Sequence, residues 1–318
     1  MRNSLILFNR LEESLMREGS WEVAQLQNKN DTAKRILPPV YPFVKWAGGK
    51  TQLLQQLHEC IPDYFDRYIE PFLGGGALFF YLISSKSNKF IAHISDINFE
   101  LVNSYNVVKS NVEELIGLLN QHGTEYQKSP RDYYYQLRNI NRPSKDIEKA
   151  ARFIALNRTC FNGLYRVNRK GVFNTPWGKY KKPAICNSEN LRNVSFALQQ
   201  SNAIIQVGDY KEILLKNAKE GDFIYLDPPY RSSSSTAYFT SYTDKGFTDK
   251  DQKDIANVFV ELTRRKCKVM LSNSNTPLIS GLYSKLAQDT REVKAIRAIN
   301  CKGSGRVGHT ELIIRNYS

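Results

Sequence analysis

Long apolar runs, paired cysteines and histidine clusters are all missing from this sequence of 318 residues. No segment approaches the roughly 18 consecutive apolar residues that a membrane-spanning helix needs, so we expect no membrane segment. The first residues, MRNSLILFNRLEES, contain only a short apolar core with acidic residues soon after it. A signal peptide is therefore not expected.

The five cysteines are scattered, and none belongs to a C-x-x-C pair: Cys60, Cys160, Cys186, Cys267 and Cys301. This usage predicts a reducing, cytoplasmic setting and argues against a disulfide framework. The four histidines are also dispersed, at His58, His93, His122 and His309. Without a cluster of ligands at suitable spacing, we expect no metal site.

Acidic residues are the scarcer charged type, with 31 Asp and Glu against 45 Lys and Arg and a formal net charge of +14. A solvated basic surface would account for this balance. In a chain expected to be cytoplasmic, however, so large an excess favours a polyanionic partner, and nucleic acid first.

Apolar runs that end in glycine, proline or acidic residues predict buried strands at 67–76, 90–98, 202–210, 222–230, 266–274 and 309–317. Helix-like segments lie between them at 50–60, 99–119, 249–265 and 277–286. This alternation predicts an α/β fold with a parallel sheet and helices on both faces. In such folds ligands bind beyond the carboxyl ends of the strands.

Residues 98–187 differ from the rest, because they are rich in Tyr, Arg, Asn and Lys and lack continuous apolar runs. We predict a helix over 146–157 and, at Arg169-Lys170-Gly171, a turn between two short strands. This region is interpreted as a domain inserted between the two parts of the sheet domain, 39–97 and 188–318. Residues 1–38 are interpreted as a polar extension whose helix packs on the domain through Leu5, Phe8, Leu11 and Leu15.

The stretch KWAGGKT (45–51) looks like the end of a phosphate-binding loop. A Walker A loop needs G-x-x-x-x-G-K-[ST], and Val44 stands where its first glycine belongs. Trp46 would also put a bulky ring where the backbone must approach a phosphate closely. An NTPase is therefore disfavoured. A plain helix start explains the glycines but not Lys45 and Trp46 before them.

A glycine-rich turn, Glu70-Pro71-Phe72-Leu73-Gly74-Gly75-Gly76, follows the first predicted strand. Glycines there allow close approach to a ligand and leave a helix N-terminus open. Asp96 ends the next strand, where a carboxylate can accept hydrogen bonds from ribose hydroxyls. Together these features favour a nucleoside-bearing cofactor, although the turn is not a clean G-x-G-x-x-G and NAD is not favoured.

The most specific short motif is Asp227-Pro228-Pro229-Tyr230. Two prolines rigidify the backbone and remove two N–H donors, so carbonyls there can face a ligand. A carboxylate beside a proline carbonyl suits a planar –NH₂ group, and Tyr230 offers a face for stacking. That combination fits the exocyclic amine of a base removed from its stack. A proline turn after a buried strand would leave the acid and the aromatic unexplained.

The chain resembles the Dam-type DNA adenine-N6 methyltransferases, which depend on S-adenosyl-L-methionine, over roughly residues 39–318. The resemblance follows the family's order of motifs: FVKWAGGK (43–50), EPFLGGGALFF (70–80), SDIN (95–98), NRTCFNGLYRVNRKGVFNTPWGKY (157–180), VGDY (207–210), LDPPY (226–230), TSYTDKGFTDKDQ (240–252) and LSNS (271–274). It implies a Rossmann-like methyltransferase sheet with an inserted, mainly helical target-recognition domain that carries a β-hairpin. Residues 1–38 lie outside the family's pattern.

The resemblance implies a cofactor site formed by Trp46, Lys50, Phe72, Gly74, Gly76, Asp96, Asp209, Tyr210 and Asp227. Asp96 would hold the ribose of S-adenosyl-L-methionine, and Asp209-Tyr210 would border its adenine. The catalytic motif would comprise Asp227, Pro228, Pro229 and Tyr230. Asp227 and the Pro228 carbonyl would bind the target N6 amine, and Tyr230 would stack on the flipped adenine. No metal is implied.

Contacts to double-stranded DNA are implied for Lys45, Phe161, Asn162, Leu164, Arg166, Pro176 and Tyr180. Arg166 would read a guanine edge, Phe161 and Asn162 would lie near the extruded base, and GATC would be the recognised sequence. Lys181 and Lys182 are interpreted as phosphate-attracting surface. A monomer is expected. The alternatives are an N4-cytosine or RNA-amine methyltransferase and a catalytically silent DNA-binding regulator.

Overall fold

The computed structural model describes residues 40–85, 90–140, 143–168, 170–230, 247–295 and 309–318. The helix predicted around Leu5–Leu15, most of the TSYTDKGFTDKDQ stretch and the serine run at 232–235 lie outside these residues. The predicted division into 1–38, 39–97 with 188–318, and 98–187 stays a prediction.

Seven strands form one mixed sheet in the order β3-β2-β1-β4-β5-β7-β6. Their bounds are β1 Arg67–Glu70, β2 Ile91–Asp96, β3 Ile204–Val207, β4 Phe223–Leu226, β5 Lys268–Ser274, β6 Asp289–Ala295 and β7 His309–Arg315. Strands β1 to β5 run parallel, while β7 pairs antiparallel with both β5 and β6. The predicted α/β class is confirmed, whereas the prediction of a parallel sheet holds for β1 to β5 and is wrong for β7, which runs antiparallel to both of its neighbours.

The helices occupy the crossovers between strands, as a parallel sheet requires. Their bounds are α1 Leu54–His58, α2 Ala77–Ser85, α3 Phe99–Ser110, α4 Val112–Lys128, α5 Pro130–Asn139, α6 Asp146–Thr159, α7 Ser188–Gln200, α8 Tyr210–Asn217, α9 Asp249–Arg264 and α10 Pro277–Tyr283. A short 3₁₀ turn, Thr51–Leu53, precedes α1. Five of these helices, α3 to α7, lie between β2 and β3.

Strand alternation places the core on both faces of the sheet. On β4, Phe223 and Tyr225 join the cluster on one face, and Ile224 and Leu226 join the cluster on the other. Successive side chains of a strand point to opposite faces, so a central strand that is apolar throughout must be covered twice. Helices therefore cover both sides, as the alternation of strands and helices predicted.

All six predicted strands are present, but β6 was missed. Its sequence, DTREVKA, holds four charged residues in seven, and it pairs only with β7 at the edge of the sheet. An edge strand with one exposed side does not need a continuous apolar run, so it lacks the pattern that marks a buried strand. The predicted helix over 99–119 is divided at Asn111, which ends α3 and precedes α4.

No strand is assigned between α6 and α7 within the described residues, although two isolated antiparallel bridges occur there. One joins Val167 to Phe173 around the predicted turn, whose first residue, Arg169, lies outside the described residues. Helix α5 contacts the segment between α6 and α7 through the Tyr134 hydroxyl, which donates to the Thr175 carbonyl at 2.7 Å. Backbone hydrogen bonds also cross the segment, from Asn168 N to the Val172 carbonyl and from Asn174 N to the Arg166 carbonyl, both at 2.9 Å.

Candidate active site

The carboxyl ends of β1, β2, β3 and β4 lie side by side, because these strands are consecutive in the sheet order. Glu70 ends β1, Asp96 ends β2, Asp209 follows β3 by two residues and Asp227 follows β4 directly. The sequence predicted that ligands bind beyond these strand ends. The strand order brings four acidic side chains together at that edge of the sheet.

The glycine turn after β1 is packed against the Trp46 indole. Gly74 has φ +50°, and a Cβ atom there would lie 2.6 Å from Trp46 Cδ1. The indole also stacks on Tyr165, with ring centroids 5.9 Å apart and an interplanar angle of 24°. Gly76 has φ +68°, and its Cβ would lie 2.8 Å from the Tyr105 hydroxyl. The two glycines are required by backbone conformation and by these neighbours.

Asp96 holds the glycine turn in place. Its Oδ2 accepts from the backbone N of Gly74 at 3.0 Å, and its Oδ1 accepts from the backbone N of Asn98 at 2.9 Å. Burial raises the pKa of this carboxyl, while the backbone N–H groups counteract that rise. A carboxylate has about four lone-pair sites, and the backbone N–H groups of Gly74, Ile97 and Asn98 do not use all of them, so acceptor capacity remains for a ligand.

An aromatic pair borders the same edge beyond β3. The rings of Phe72 and Tyr210 stack with centroids 5.0 Å apart and an interplanar angle of 29°, and Phe247 meets Phe72 edge-on at 6.5 Å. Asp209 caps α8 by accepting from the backbone N of Lys211 at 2.9 Å. The structure thus brings Phe72 together with Tyr210, as expected of the walls of a single pocket.

The carboxylate of Asp227 is paired with Lys50, which lies 177 positions earlier in the sequence. Lys50 Nζ lies 2.8 Å from Asp227 Oδ1, donates to the Gly48 carbonyl at 2.8 Å, and stands 4.7 Å from the centre of the Tyr230 ring. Only 6% of the Lys50 side chain is exposed. An ammonium so deeply buried needs such partners, since an unpaired charge away from water is very costly.

Burial raises the pKa of Asp227 to about 6, although the Lys50 ammonium and a hydrogen bond from Tyr230 pull it down. The neighbouring Glu311 carboxylate adds to the rise. Glu70, at the end of β1, is 3% exposed and accepts from the Tyr68 hydroxyl at 2.9 Å. Burial raises its pKa well above the ordinary range, with Asp227 and Asp96 as further contributors.

The two prolines after Asp227 are held by a buried amide. Gln252 on α9 donates its Nε2 to the Pro229 carbonyl at 3.1 Å, and its Oε1 accepts from Asn273 Nδ2 at 2.9 Å. Both Gln252 and Asn273 are fully buried. No role was predicted for Gln252, although it is the last residue of the matched stretch TSYTDKGFTDKDQ (240–252).

Glu311 on β7 was also missed. Its Oε2 accepts from the Tyr230 hydroxyl at 2.7 Å and lies 3.9 Å from Lys50 Nζ. The signal available in the sequence was an acidic residue within the apolar strand HTELIIR, where a buried carboxylate needs a partner. Nothing in the sequence identified that partner.

A second group of predicted residues lies on the segment after α6, residues 161–180. Lys45 Nζ stands 4.6 Å from the centre of the Tyr180 ring, and a Cβ at Gly163 would lie 2.3 Å from Lys45 Cβ. Phe161 is 48% exposed, and Asn162 adopts φ 55°, a left-handed conformation that asparagine tolerates better than most residues. The structure thus brings the Lys45 ammonium into contact with the Tyr180 ring.

Arg166 is oriented by Asn174 across the turn. Its Nε donates to Asn174 Oδ1 at 2.7 Å and its Nη2 donates to the Asn174 carbonyl at 3.1 Å. One edge of the guanidinium is therefore occupied, and the Nη1 end is left for other acceptors. Leu164 is partly buried, and its carbonyl accepts from the Thr175 hydroxyl at 2.7 Å. Pro176 is exposed, and its carbonyl accepts from the backbone N of Phe161 at 2.9 Å.

Among the described residues, no helix is long and apolar enough to cross a membrane. Over the same part of the chain, no group of three or more His, Cys, Asp or Glu side chains is placed to hold a metal ion.

A mixed sheet in which antiparallel β7 lies between β5 and β6, with acidic residues at or just beyond the carboxyl ends of β1 to β4, defines an α/β protein whose candidate ligand site lies at that edge of the sheet. The family model of the D12 class N6 adenine-specific DNA methyltransferases matches residues 46–299. This chain belongs to that family, and it is an adenine-specific DNA methyltransferase.

Relatives agree over most of the chain. The sequence is 42% identical over 281 residues to the type II methyltransferase M1.LlaDCHI of Lactococcus lactis subsp. cremoris, covering 87% of this chain and 95% of that protein. It is 43% identical over 293 residues to the type II methyltransferase M.MjaIII of Methanocaldococcus jannaschii, covering 87% and 99%. It is 32% identical over 271 residues to the DNA adenine methylase of Escherichia coli K12, covering 85% and 93%.

The family implies S-adenosyl-L-methionine as methyl donor and DNA as substrate. The residues at the edge of the sheet fit this donor. Asp96 retains acceptor sites suited to ribose hydroxyls, the Phe72 and Tyr210 rings offer apolar faces for an adenine, and carboxylates suit a positively charged sulfonium group. Two separate features, an acidic edge and an aromatic pair, therefore match two parts of one ligand.

Proposed function

We propose that this chain methylates N6 of adenine within GATC in duplex DNA, with Asp227, Pro228, Pro229 and Tyr230 as the catalytic motif. The observation that carries the proposal is the Asp227 carboxylate, which lies at the end of a fully buried central strand and is held by the Lys50 ammonium at 2.8 Å. An ionised carboxylate at this position can accept a hydrogen bond from a donor group of the substrate.

In this mechanism the Asp227 carboxylate and the Pro228 carbonyl each accept a hydrogen bond from one N–H of the target –NH₂ group. The lone pair of that amine is delocalised into the adenine ring, so the free amine is a poor nucleophile. Two acceptors that draw its protons apart favour tetrahedral geometry and release the lone pair for attack. Tyr230 supplies the face on which the flipped base stacks.

When bound, S-adenosyl-L-methionine would supply an electrophilic methyl group to N6, and its sulfur would leave with both electrons of the C–S bond. N6 then loses one proton, and the Asp227 carboxylate that faces it is the acceptor. The raised pKa of Asp227, about 6, makes it a better proton acceptor than an ordinary aspartate. Orientation and hydrogen bonding carry the reaction, without a covalent enzyme intermediate.

In this proposal the cofactor is bordered by Trp46, Lys50, Phe72, Gly74, Gly76, Asp96, Asp209, Tyr210 and Asp227. Asp96 takes the ribose hydroxyls through its remaining acceptor capacity, and the Phe72–Tyr210 pair borders the adenine. The four cysteines described in the structure are free thiols, which fits a cytoplasmic enzyme.

The assignment of GATC rests on the segment 157–180, which resembles the recognition segment of Dam-type enzymes and lies within residues 98–187, proposed here as the target-recognition domain. Arg166 is the residue proposed to read guanine, because Asn174 fixes one edge of its guanidinium and leaves the Nη1 end for a base. Lys45, Phe161, Asn162, Leu164, Pro176 and Tyr180 are the other proposed DNA contacts.

The test uses labelled S-adenosyl-L-methionine and matched duplexes with GATC or a scrambled site, followed by digestion to nucleosides. We expect label in N6-methyladenine from the GATC duplex alone. Label in N4-methylcytosine, or equal label in both duplexes, would contradict the proposal. Asp227→Ala should lose turnover by orders of magnitude and keep DNA binding. Asp146→Ala, which removes a carboxylate that is 67% exposed, is the control and should keep full activity.

A further inference from the structure

Glu311 is a buried carboxylate that touches the catalytic motif. It lies on β7 opposite Ser274 at the end of β5, and it is 7% exposed. Its Oε2 accepts from the Tyr230 hydroxyl at 2.7 Å. The hydroxyl of the proposed base-stacking residue is thereby fixed by a residue of β7, which lies two strands from β4 in the sheet.

Lys50 lies between two carboxylates. Its Nζ is 2.8 Å from Asp227 Oδ1 and 3.9 Å from Glu311 Oε2. The partly buried Asp227 and the buried Glu311 therefore face one ammonium, and the nearer acid, Asp227, has the direct hydrogen bond.

The Asp227 oxygen that Lys50 occupies has a second use in the proposed reaction. A carboxylate bound to an ammonium is a weaker acceptor toward another donor, because the cation withdraws the same lone-pair density. When the target amine reaches Asp227, the site works best if Lys50 can loosen its contact without being left unpaired. Glu311 is already within ion-pair distance and can take that cation.

We propose that Glu311 is a positioning residue that acts as the second counter-ion of Lys50 and as the anchor of Tyr230, so that Asp227 becomes available to the target amine. The inference rests on the proposed function of Asp227. Glu311 itself touches neither the base nor the methyl donor. Its effect passes through Lys50 and through the Tyr230 hydroxyl.

Glu311→Gln tests whether Glu311 acts through Lys50 and Tyr230 or only maintains the local structure. The amide keeps an oxygen that can accept from Tyr230, but it removes the charge that attracts Lys50. We expect the rate of methyl transfer in a single turnover to fall about 10- to 100-fold, while the Kd values for DNA and for S-adenosyl-L-methionine change less than about threefold. Tyr230→Phe, which keeps the ring and removes the hydroxyl, should cost less. Glu311→Asp keeps the charge at shorter reach and should recover part of the rate.

A second readout needs neither DNA nor cofactor. Glu311 is one of the charges that raise the pKa of Asp227, together with burial and against Lys50 and Tyr230. In the free protein, NMR titration of ¹³C-labelled aspartate carboxyls, with Asp227 assigned by its loss in Asp227→Asn, should show a lower Asp227 pKa in Glu311→Gln. A purely structural glutamate would not produce this shift together with unchanged binding.

Glu292→Gln on β6 is the matched control, because Glu292 is exposed on the strand beside β7 and should leave rate, binding and titration unchanged. A wild-type methyl-transfer rate in Glu311→Gln, or an unmoved Asp227 pKa, overturns the inference. A parallel loss of rate, binding and melting temperature also overturns it, since that pattern marks a structural residue. A wild-type protein that methylates no adenine instead sinks the proposed function, so the two failures are distinguishable.

Discussion

Asn157 and Lys45 form a closed pair of hydrogen bonds between a side chain and a backbone that lie 112 residues apart. Asn157 Oδ1 accepts from the Lys45 backbone N at 2.8 Å, and its Nδ2 donates to the Lys45 carbonyl at 2.8 Å. The same Nδ2 donates to the Gly163 carbonyl at 3.1 Å. One amide on α6 therefore ties the turn that carries Trp46 and Lys50 to the segment that carries Arg166.

Asn157→Ala is expected to lower the free energy of unfolding by about 2–4 kcal/mol, because it removes three hydrogen bonds that the amide makes to the backbone of Lys45 and Gly163. Asn157 is only 3% exposed, so water cannot readily replace the amide. Urea denaturation followed by circular dichroism measures the change. Asn106→Ala, on the exposed face of α3, is the control and should stay within about 0.5 kcal/mol of wild type. Equal effects of the two substitutions would show that the clamp contributes no stability.

Gly74→Ala and Gly117→Ala are expected to act in opposite directions. At Gly74 a methyl group would lie 2.6 Å from the Trp46 ring and φ is +50°, so we expect destabilisation by about 1–3 kcal/mol and weaker binding of S-adenosyl-L-methionine. Gly117 is within helix α4 and has no neighbour within 4 Å of its added methyl. Gly117→Ala should stabilise by about 0.5–1 kcal/mol. Thermal melts and calorimetric titration with the cofactor check both expectations.

The pH profile of kcat/KM should carry an acid limb set by Asp227. The carboxylate form accepts the target amine, and burial raises its pKa to about 6, so activity should rise with pH through about 6 and then level off. The measurement is the initial rate at subsaturating DNA and constant ionic strength from pH 5 to 8. A rate that stays flat down to pH 5 would argue against an essential carboxylate with a raised pKa.

The same group affects stability with a definite sign. The native pKa of Asp227 is raised above the ordinary value of 3.8, so between 3.8 and about 6 the folded protein binds more protons than the unfolded chain. The contribution of Asp227 to the free energy of unfolding therefore decreases as pH rises through that window. Comparing urea denaturation of wild type and Asp227→Asn at pH 4.5 and pH 7 isolates this contribution. The free energy of unfolding of Asp227→Asn relative to that of wild type should be larger at pH 7 than at pH 4.5.

Arg166→Ala should relax site selection more than it slows methyl transfer. A bidentate contact from arginine to guanine contributes about 1–3 kcal/mol of discrimination against the wrong base. Asn174→Ala should act in the same direction with a smaller effect, because only the Nε contact of Arg166 is lost while the Asn174 carbonyl still accepts from Nη2. The measurement is the ratio of kcat/KM on GATC to that on duplexes with one altered base pair.

Lys181→Ala is the matched control for that experiment. Lys181 is exposed directly after the 161–180 segment, and we expect it to attract phosphate rather than read a base. Its loss should weaken binding by a similar factor on every duplex and reduce the dependence of binding on salt. A specific loss on GATC alone would mean that Lys181, too, takes part in reading the sequence.

Much of the active site follows from residues that are close in sequence. A turn residue after an apolar run predicts a strand end, and parallel strands bring their ends to one edge, so Asp96, Asp209 and Asp227 were placed correctly relative to the sheet. The motif Asp227–Tyr230 consists of four consecutive residues, so its resemblance to the family can be recognised from the sequence without coordinates. The basic charge likewise needs no structure to predict a polyanionic partner.

Tertiary structure alone decided which distant side chains meet. Lys50 pairs with Asp227, Tyr230 donates to Glu311 81 residues away, and Asn157 clamps Lys45. The physical reason is that burying a charged or polar group demands a partner but does not specify which one. The sequence determined the strand ends, the motifs and the charge of this methyltransferase. The order of strands in the sheet, which sets β7 beside β5, decided the partners.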